Sequence, residues 1–264
     1  MSLPDPRPDG AALVTGASSG IGIDLSRELA RRGHGLILVA RRVERLEEVA
    51  AELREEFGIR VDVLPADLSE RDGRVDLLER IAGLGLEVDV LLNNAGYGLS
   101  GRFIELEAER QEQMVRLNVE AVHHLARAVL PGMVERGAGA VLLLGSIAAF
   151  QPLVGMSDYA ATKAFVLALG EALHEEVGSK GVTVTTLCPG PVKTEFWEVA
   201  GGAKGASAIP VMWQTSDKVA REAVEGLEKG QRVVVPGVPV KAAALGGRWT
   251  PRSVLLPLLK RTGM

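Results

Sequence analysis

The segment TGASSGIG, from Thr15 to Gly22, lies between a short apolar run, AALVTG, and an amphipathic stretch, IGIDLSRELARRG. Strand, glycine turn and helix in immediate succession restrict what the chain can fold into. A strand that turns at once into a helix while a pyrophosphate rests against its backbone leaves no room for side chains at Gly16, Gly20 and Gly22. The N–H groups at the start of the helix then face the phosphates. The spacing G-x-x-x-G-x-G differs from the more familiar G-x-G-x-x-G, and a plain tight loop would carry the same glycines. The flanking strand and helix, with Gly33 as the helix stop, favour the phosphate-binding alternative.

The chain has 264 residues, 47% hydrophobic and 24% charged, enough to bury the core of one domain, since α/β folds of this length often stay undivided. Thirty basic against 34 acidic residues give a net charge of −4, which advertises no basic surface for nucleic acid or anionic lipid. A small molecule is therefore the expected partner. Cys188 is the single cysteine, which excludes an intrachain disulfide framework and fits a reducing, cytoplasmic compartment. The four histidines form no H-E-x-x-H pattern, and the adjacent His123 and His124 point apart on a helix, so no metal site is expected. The Pro-rich opening MSLPDPRPDG lacks an apolar signal-peptide core and reads as a loose tail over residues 1–10. Residues 137–157 carry no charge, and about 20 apolar residues suffice for a membrane span. Gly145, Ser146, Gln151, Pro152 and Gly155 interrupt that run, which reads instead as a buried strand, GAVLLLGS, followed by a loop.

Elsewhere apolar runs alternate with amphipathic ones. HGLILVAR, IRVDVLPADL, VDVLLNNAG, VTVTTLCPG and RVVVPG read as strands. VERLEEVAAELREEFG is a helix with apolar positions recurring at three and four, closed by Gly58. ERDGRVDLLERIAG, a long region from about Leu106 to Arg136, residues 158–177 and SDKVAREAVEGLEKG complete the helices. Seven apolar strands separated by helices predict a parallel sheet covered on both faces, and right-handed crossovers make it one doubly wound Rossmann α/β domain over residues 11–237. Its ligand belongs at the carboxyl ends of the strands.

Tyr159 and Lys163 lie four apart, on one face if residues 158–177 are helical. A neighbouring ammonium favours the phenolate and lowers the tyrosine pKa from its usual value of about 10, which suits Tyr159 to acid–base work. A solvated Lys beside an ordinary Tyr is the plain alternative. Ser146 ends a strand thirteen residues before Tyr159, so both can meet in one crevice. Asn118 falls inside a helical stretch, where Asn is a poor helix former; a kinked helix, a buried polar contact or simple exposure would each account for it.

Taken together, these residues resemble the classical short-chain dehydrogenase/reductase family. The similarity comprises T-G-x-x-x-G-I-G at residues 15–22, N-N-A-G at 93–96, Asn118, Ser146, Tyr159 and Lys163 as Y-x-x-x-K, and C-P-G-P-V-K-T at 188–194. The resemblance implies a catalytic tetrad. Tyr159 would give a proton to a carbonyl oxygen in reduction or take it from an alcohol in oxidation; Ser146 would position that oxygen. Lys163 would hold the nicotinamide ribose and depress the tyrosine pKa, and Asn118 would keep a water in the proton path. A nicotinamide nucleotide would lie against Gly16, Ser18, Ser19, Gly20, Ile21 and Gly22, then Asp67, Leu68, Asn94, Ala95 and Gly96. Tyr159, Lys163, Pro189, Gly190, Val192 and Thr194 would close its other side. The family also implies a homodimer or homotetramer formed through the long helices around Asn118 and Tyr159.

At the end of the second strand the chain reads Val39, Ala40, Arg41, Arg42, with no acidic group for a ribose 2′-hydroxyl. Two guanidinium groups suit a 2′-phosphate, so NADP(H) is expected over NAD(H); solvated arginines are the alternative. Phe196, Trp197, Met212 and Trp213 cluster within residues 193–214, where related enzymes place a lid, in a chain only 4% aromatic. With Tyr97, Phe150, Leu153 and Met156 they predict an apolar pocket for a ketone or secondary alcohol with a hydrophobic body. Residues 238–264 extend past the seventh strand; basic residues flanking VLLPLL would suit membrane-surface docking, but Pro257 is expected to break any helix there and too few residues remain for an anchor, so packing on the lid or on a partner subunit is the preferred reading. A different reading, a non-catalytic NADP(H)-binding sensor or scaffold, is opposed by the intact Ser146, Tyr159 and Lys163.

Overall fold

Every residue of strands β1 (Gly10–Thr15), β2 (Leu36–Val39) and β6 (Val182–Leu187) is buried. Strands buried without alternation need cover on both faces. The computed structural model, which describes residues 3–201 and 210–262, shows that cover. With β3 (Val61–Val63), β4 (Glu87–Asn93), β5 (Gly139–Leu144) and β7 (Val233–Val234) the strands form a seven-stranded sheet in the order β3-β2-β1-β4-β5-β6-β7, each neighbouring pair parallel. The described helices are α1 (Gly20–Ala30), α2 (Val43–Phe57), α3 (Arg71–Gly83), α4 (Ala108–Val115), α5 (Val122–Arg136), α6 (Ser157–Gly178), α7 (Phe196–Val199), α8 (Ser216–Glu228), α9 (Val238–Trp249) and α10 (Arg252–Thr262).

Alternate strand residues serve opposite layers. Ala12, Val14, Leu36 and Leu38 pack with Leu25 and Leu29 of α1, Leu46 and Leu53 of α2, and Val219 and Ala223 of α8. Leu13, Ile37, Val39 and Leu91 pack with Leu77 of α3, Leu125 of α5 and Val166 of α6. Strand order reverses between β1 and β4, which leaves a crevice at their carboxyl ends.

Several elements differ from the sequence expectation for local reasons. β3 is short because Pro65 has no N–H, yet the extended chain continues, with Leu64 N donating to Leu38 O at 3.0 Å and Ala66 N to Ala40 O at 3.1 Å. The long region ending at Arg136 contains a π-helical turn, Arg116–Ala121, between α4 and α5. Pro257 does not break α10 but lies inside it; Ser253, whose carbonyl loses its helical partner, is exposed and open to water. The expected loose tail is tied down. Leu3 is buried in the core, and Arg7 donates to both Asp89 carboxylate oxygens at 2.8 Å while also pairing with Glu87.

Asp89 is 8% exposed, and among the described residues removing Arg7 leaves it only Arg136, 3.7 Å away. Because Arg7 is itself 33% exposed, solvent screens part of the pair. Arg7→Ala is expected to cost about 1–2 kcal/mol, lowering Tm by about 2–6 °C in calorimetry. An unchanged Tm would show that the opening segment contributes nothing.

Candidate active site

The glycine turn is held by the strand beside it. The Thr15 hydroxyl accepts the N–H groups of Asn94 (3.0 Å) and Ala95 (2.9 Å), and the Asn94 amide donates back to Thr15 O (2.9 Å) and Gly16 O (3.3 Å). Gly16 has φ +68°, and a Cβ on Gly22 would stand 2.1 Å from Gly16 O. The turn thus folds onto itself, and Gly22 is required by that contact. Ser19 precedes α1 without a side-chain cap bond, and no acidic residue occupies the first turn. A helix start so arranged suits an anion.

The crevice holds about 430 Å³ and is lined by Gly16, Ser18, Ser19, Gly20 and Ile21, by Arg41 and Arg42, by Asp67 and Leu68, and by Asn94, Ala95, Gly96 and Thr194. Burial works against the charge on Asp67, but hydrogen bonds from Ser69 and the nearby Arg41 outweigh it and hold the carboxyl below its ordinary value. The two arginines face this space with partners of their own. Arg41 lies 3.7 Å from Asp67, and Arg42 reaches Ser18 O at 3.1 Å and Glu195 at 3.0 Å. The glycine cradle, the open helix start and the paired arginines together fit a phosphorylated dinucleotide.

Beside the crevice is an apolar cavity of about 350 Å³ containing Ser146, Tyr159 and Lys163; Gly96, Thr194 and Phe196 line both spaces. Ser146 follows β5, its hydroxyl accepting from Ala148 N at 3.1 Å, while Ile147 N donates to Pro189 O at 2.9 Å and joins the ends of β5 and β6. Tyr159 and Lys163 lie one turn apart on α6, the ammonium 5.7 Å from the ring centroid. Lys163 Nζ donates to Leu144 O at 2.7 Å.

Burial governs the protonation of these groups. It pushes the Tyr159 phenol up to about 12, against a hydrogen bond with Ser146 that favours the phenolate. It brings the Lys163 ammonium down to about 8. The direction is the reverse of the expected lowering by Lys163, because desolvation outweighs the one opposing influence, the Ser146 hydrogen bond. Cys188, behind Ser146, is likewise pushed up to about 12 by burial and stays a thiol.

Asn118 is fully buried in the π turn. Its amide donates to Tyr97 O (2.9 Å) and Thr162 Oγ1 (3.1 Å) and accepts from Tyr97 N (3.2 Å), so the side chain locks the N-N-A-G loop to α6.

Residues 10–203 match the family described as short chain dehydrogenase. The chain belongs to that family. Among curated relatives, the very-long-chain 3-oxoacyl-CoA reductase of Anas platyrhynchos is 39% identical over 195 residues, covering 72% of this chain; the match spans only 62% of that longer protein. Among solved structures, a short-chain dehydrogenase from Sphingobium yanoikuyae in complex with NADPH is 37% identical, with TM-score 0.80 and coverage of 94% of this chain and 95% of that one. The bulky-bulky ketone specific alcohol dehydrogenase from Comamonas testosteroni is 31% identical, with TM-score 0.76 and coverage of 93% and 98%.

In this short-chain dehydrogenase the expected residues separate into two groups. Pro189, Gly190 and Val192 line the apolar cavity and not the crevice, and Gly22 lies behind the turn. Of the expected substrate contacts, Phe196, Trp197, Leu153, Met156 and Met212 line the cavity. Tyr97 lines the crevice instead, its hydroxyl donating to Arg110 O at 2.8 Å. Phe150 is packed in a small core cluster, and Trp213 lies tilted against Trp197, centroids 5.5 Å apart. Residues 202–209 of the expected lid lie outside the described residues. Sequence reasoning missed Glu195, Thr162, Gln151 and Ala243. Glu195 had a signal in its place beside the aromatic cluster; Ala243, in α9, had none.

Asn118→Ala removes one buried and two part-buried hydrogen bonds and takes from the Tyr97 backbone its Asn118 partner. The expected cost is about 2–4 kcal/mol, read as a fall in urea midpoint at unchanged slope. A midpoint equal to that of the parent chain would mean that Asn118 does not hold the loop.

Proposed function

We propose that this chain is an NADP(H)-dependent oxidoreductase that interconverts a ketone and a secondary alcohol with a hydrophobic body. The observation that carries the reading is that Ser146, Tyr159 and Lys163 share one apolar cavity opening beside the glycine-turn crevice. The nucleotide supplies the hydride. The Ser146 hydroxyl orients the substrate oxygen, and Tyr159 passes its phenolic proton to that oxygen in reduction. A phenol pushed up to about 12 is fully protonated at neutral pH, the state a proton donor needs. Lys163 at about 8 is still charged there and serves the ribose hydroxyls. Asn118, its side chain already engaged, acts by holding the loop and by offering its backbone in the π turn to a water in the proton path.

Arg41 and Arg42 support the 2′-phosphate preference, as does the NADPH complex of the Sphingobium relative. The cavity wall of Leu153, Met156, Phe196, Trp197 and Met212 supports a bulky, apolar substrate, in keeping with the names of the duck and Comamonas relatives.

Tyr159→Phe is expected to lower kcat for a bulky ketone about 10²–10⁴-fold while NADPH affinity stays within about twofold. Full turnover in that variant would remove the proton-transfer role. Tight NADPH binding by the parent chain without oxidation by any bulky ketone would favour a sensor. Because Glu195 occupies Arg42, Glu195→Gln is expected to tighten NADPH about three- to fivefold in a fluorescence titration and leave NADH unchanged. Equal effects on both nucleotides would show that Arg42 does not read the phosphate.

A further inference from the structure

Residues 238–264 hold five of the chain's 30 basic side chains and none of its 34 acidic ones. The whole-chain balance of −4 conceals this local excess. The same segment carries apolar side chains that the fold leaves outside. In α9, Val240, Ala244 and Gly247 face inward, while Val238 (83% exposed), Leu245 (52%) and Trp249 (77%) recur at spacings of seven and four and form one outward stripe. Lys241 and Arg248 flank that stripe. On α10, Leu255 is buried, and Val254 (60%) and Leu256 (39%) are exposed together with Arg252 and Lys260. Among the described residues, Arg248 alone of these cations meets a carboxylate, Glu171, at 3.9 Å.

We propose that the outer face of α9 and α10 docks on an anionic lipid surface. An interfacial helix needs an apolar stripe with an aromatic side chain, and basic residues beside it. Both requirements are met here without a segment long enough to cross the bilayer: no described helix is long and apolar enough for that. Charge selects the occupant. A second copy meeting this face with its own would set cations against cations, with no acidic side chain from residues 238–264 and, of these cations, only Arg248 meeting Glu171, whereas anionic headgroups neutralise them. The position has a consequence for the substrate. Ala243 of α9 lines the apolar cavity, and Gln151, which also lines it, packs against Gly247. The helix that meets lipid is thus a wall of the substrate cavity, which suits an apolar substrate drawn from the bilayer.

The test is co-sedimentation of the full chain with vesicles of phosphatidylcholine alone or mixed equally with phosphatidylglycerol, at low and high salt. Binding is expected to the mixed vesicles only and to weaken with salt. Trp249→Ala with Leu245→Asp, and separately Lys241→Glu with Lys260→Glu, are each expected to lower the bound fraction at least about tenfold at unchanged Tm. Absence of binding, equal binding to both vesicle types, or variants that bind like the parent would overturn the proposal. Sedimentation velocity without vesicles supplies the remaining outcome: if Trp249→Ala with Leu245→Asp breaks an oligomer, the face belongs to a second copy and the lipid assignment fails.

Discussion

One hydroxyl at the junction of two strands organises the nucleotide side of this molecule. Thr15 ends β1 and takes two backbone N–H groups from the loop after β4, and Asn94 returns the bond to the β1 carbonyl. β1 and β4 lie at the point where strand order reverses, so their ends would otherwise diverge around unpaired backbone groups. Once they are tied, the glycine turn has one path available, with Gly22 packed against Gly16 O and α1 starting at the floor of the crevice. The same loop continues to Gly96 and Tyr97, where Asn118 takes hold of it from the π turn. Thus the crevice and α6 are parts of one hydrogen-bonded frame.

Within that frame, desolvation decides which form each acid–base group takes. Tyr159 is kept as a phenol and Lys163 is brought towards neutrality, while Ser146 alone opposes the shift on Tyr159. The cavity that desolvates them is built from aliphatic and aromatic side chains, so the feature that sets protonation is also the ground for the apolar substrate proposed above. Phe196 joins the two spaces: its ring lies tilted at 53° to that of Tyr159, centroids 5.5 Å apart, and lines both the crevice and the cavity.

The doubly wound sheet was legible because its strands are continuous apolar runs bounded by glycines, and the period of α2 and its stop at Gly58 were equally plain. The oddity of Asn118 inside a helix was a true signal, and its cause is the π turn. What the sequence could not reveal depends on contacts across long separations. Arg7 belongs to the fold through Asp89, 82 residues away, and nothing in MSLPDPRPDG announces that partner. Charge spacing suggested a lowered Tyr159, but burial, which a linear pattern does not record, reversed the direction. Glu195 and Ala243 enter the site only because the chain after β6 returns to the crevice and α9 returns over the cavity.

The central claim is that a phenol, an ammonium and a hydroxyl in an apolar cavity carry out redox chemistry with a nucleotide in the adjoining crevice. Incubation of the full chain with NADPH carrying deuterium at both nicotinamide C4 positions and a bulky aryl ketone, followed by mass spectrometry and NMR of the alcohol, tests it most directly. The account predicts one deuterium on the carbinol carbon for each NADPH consumed. NADPH bound in the crevice but recovered unoxidised across a panel of such ketones would contradict it.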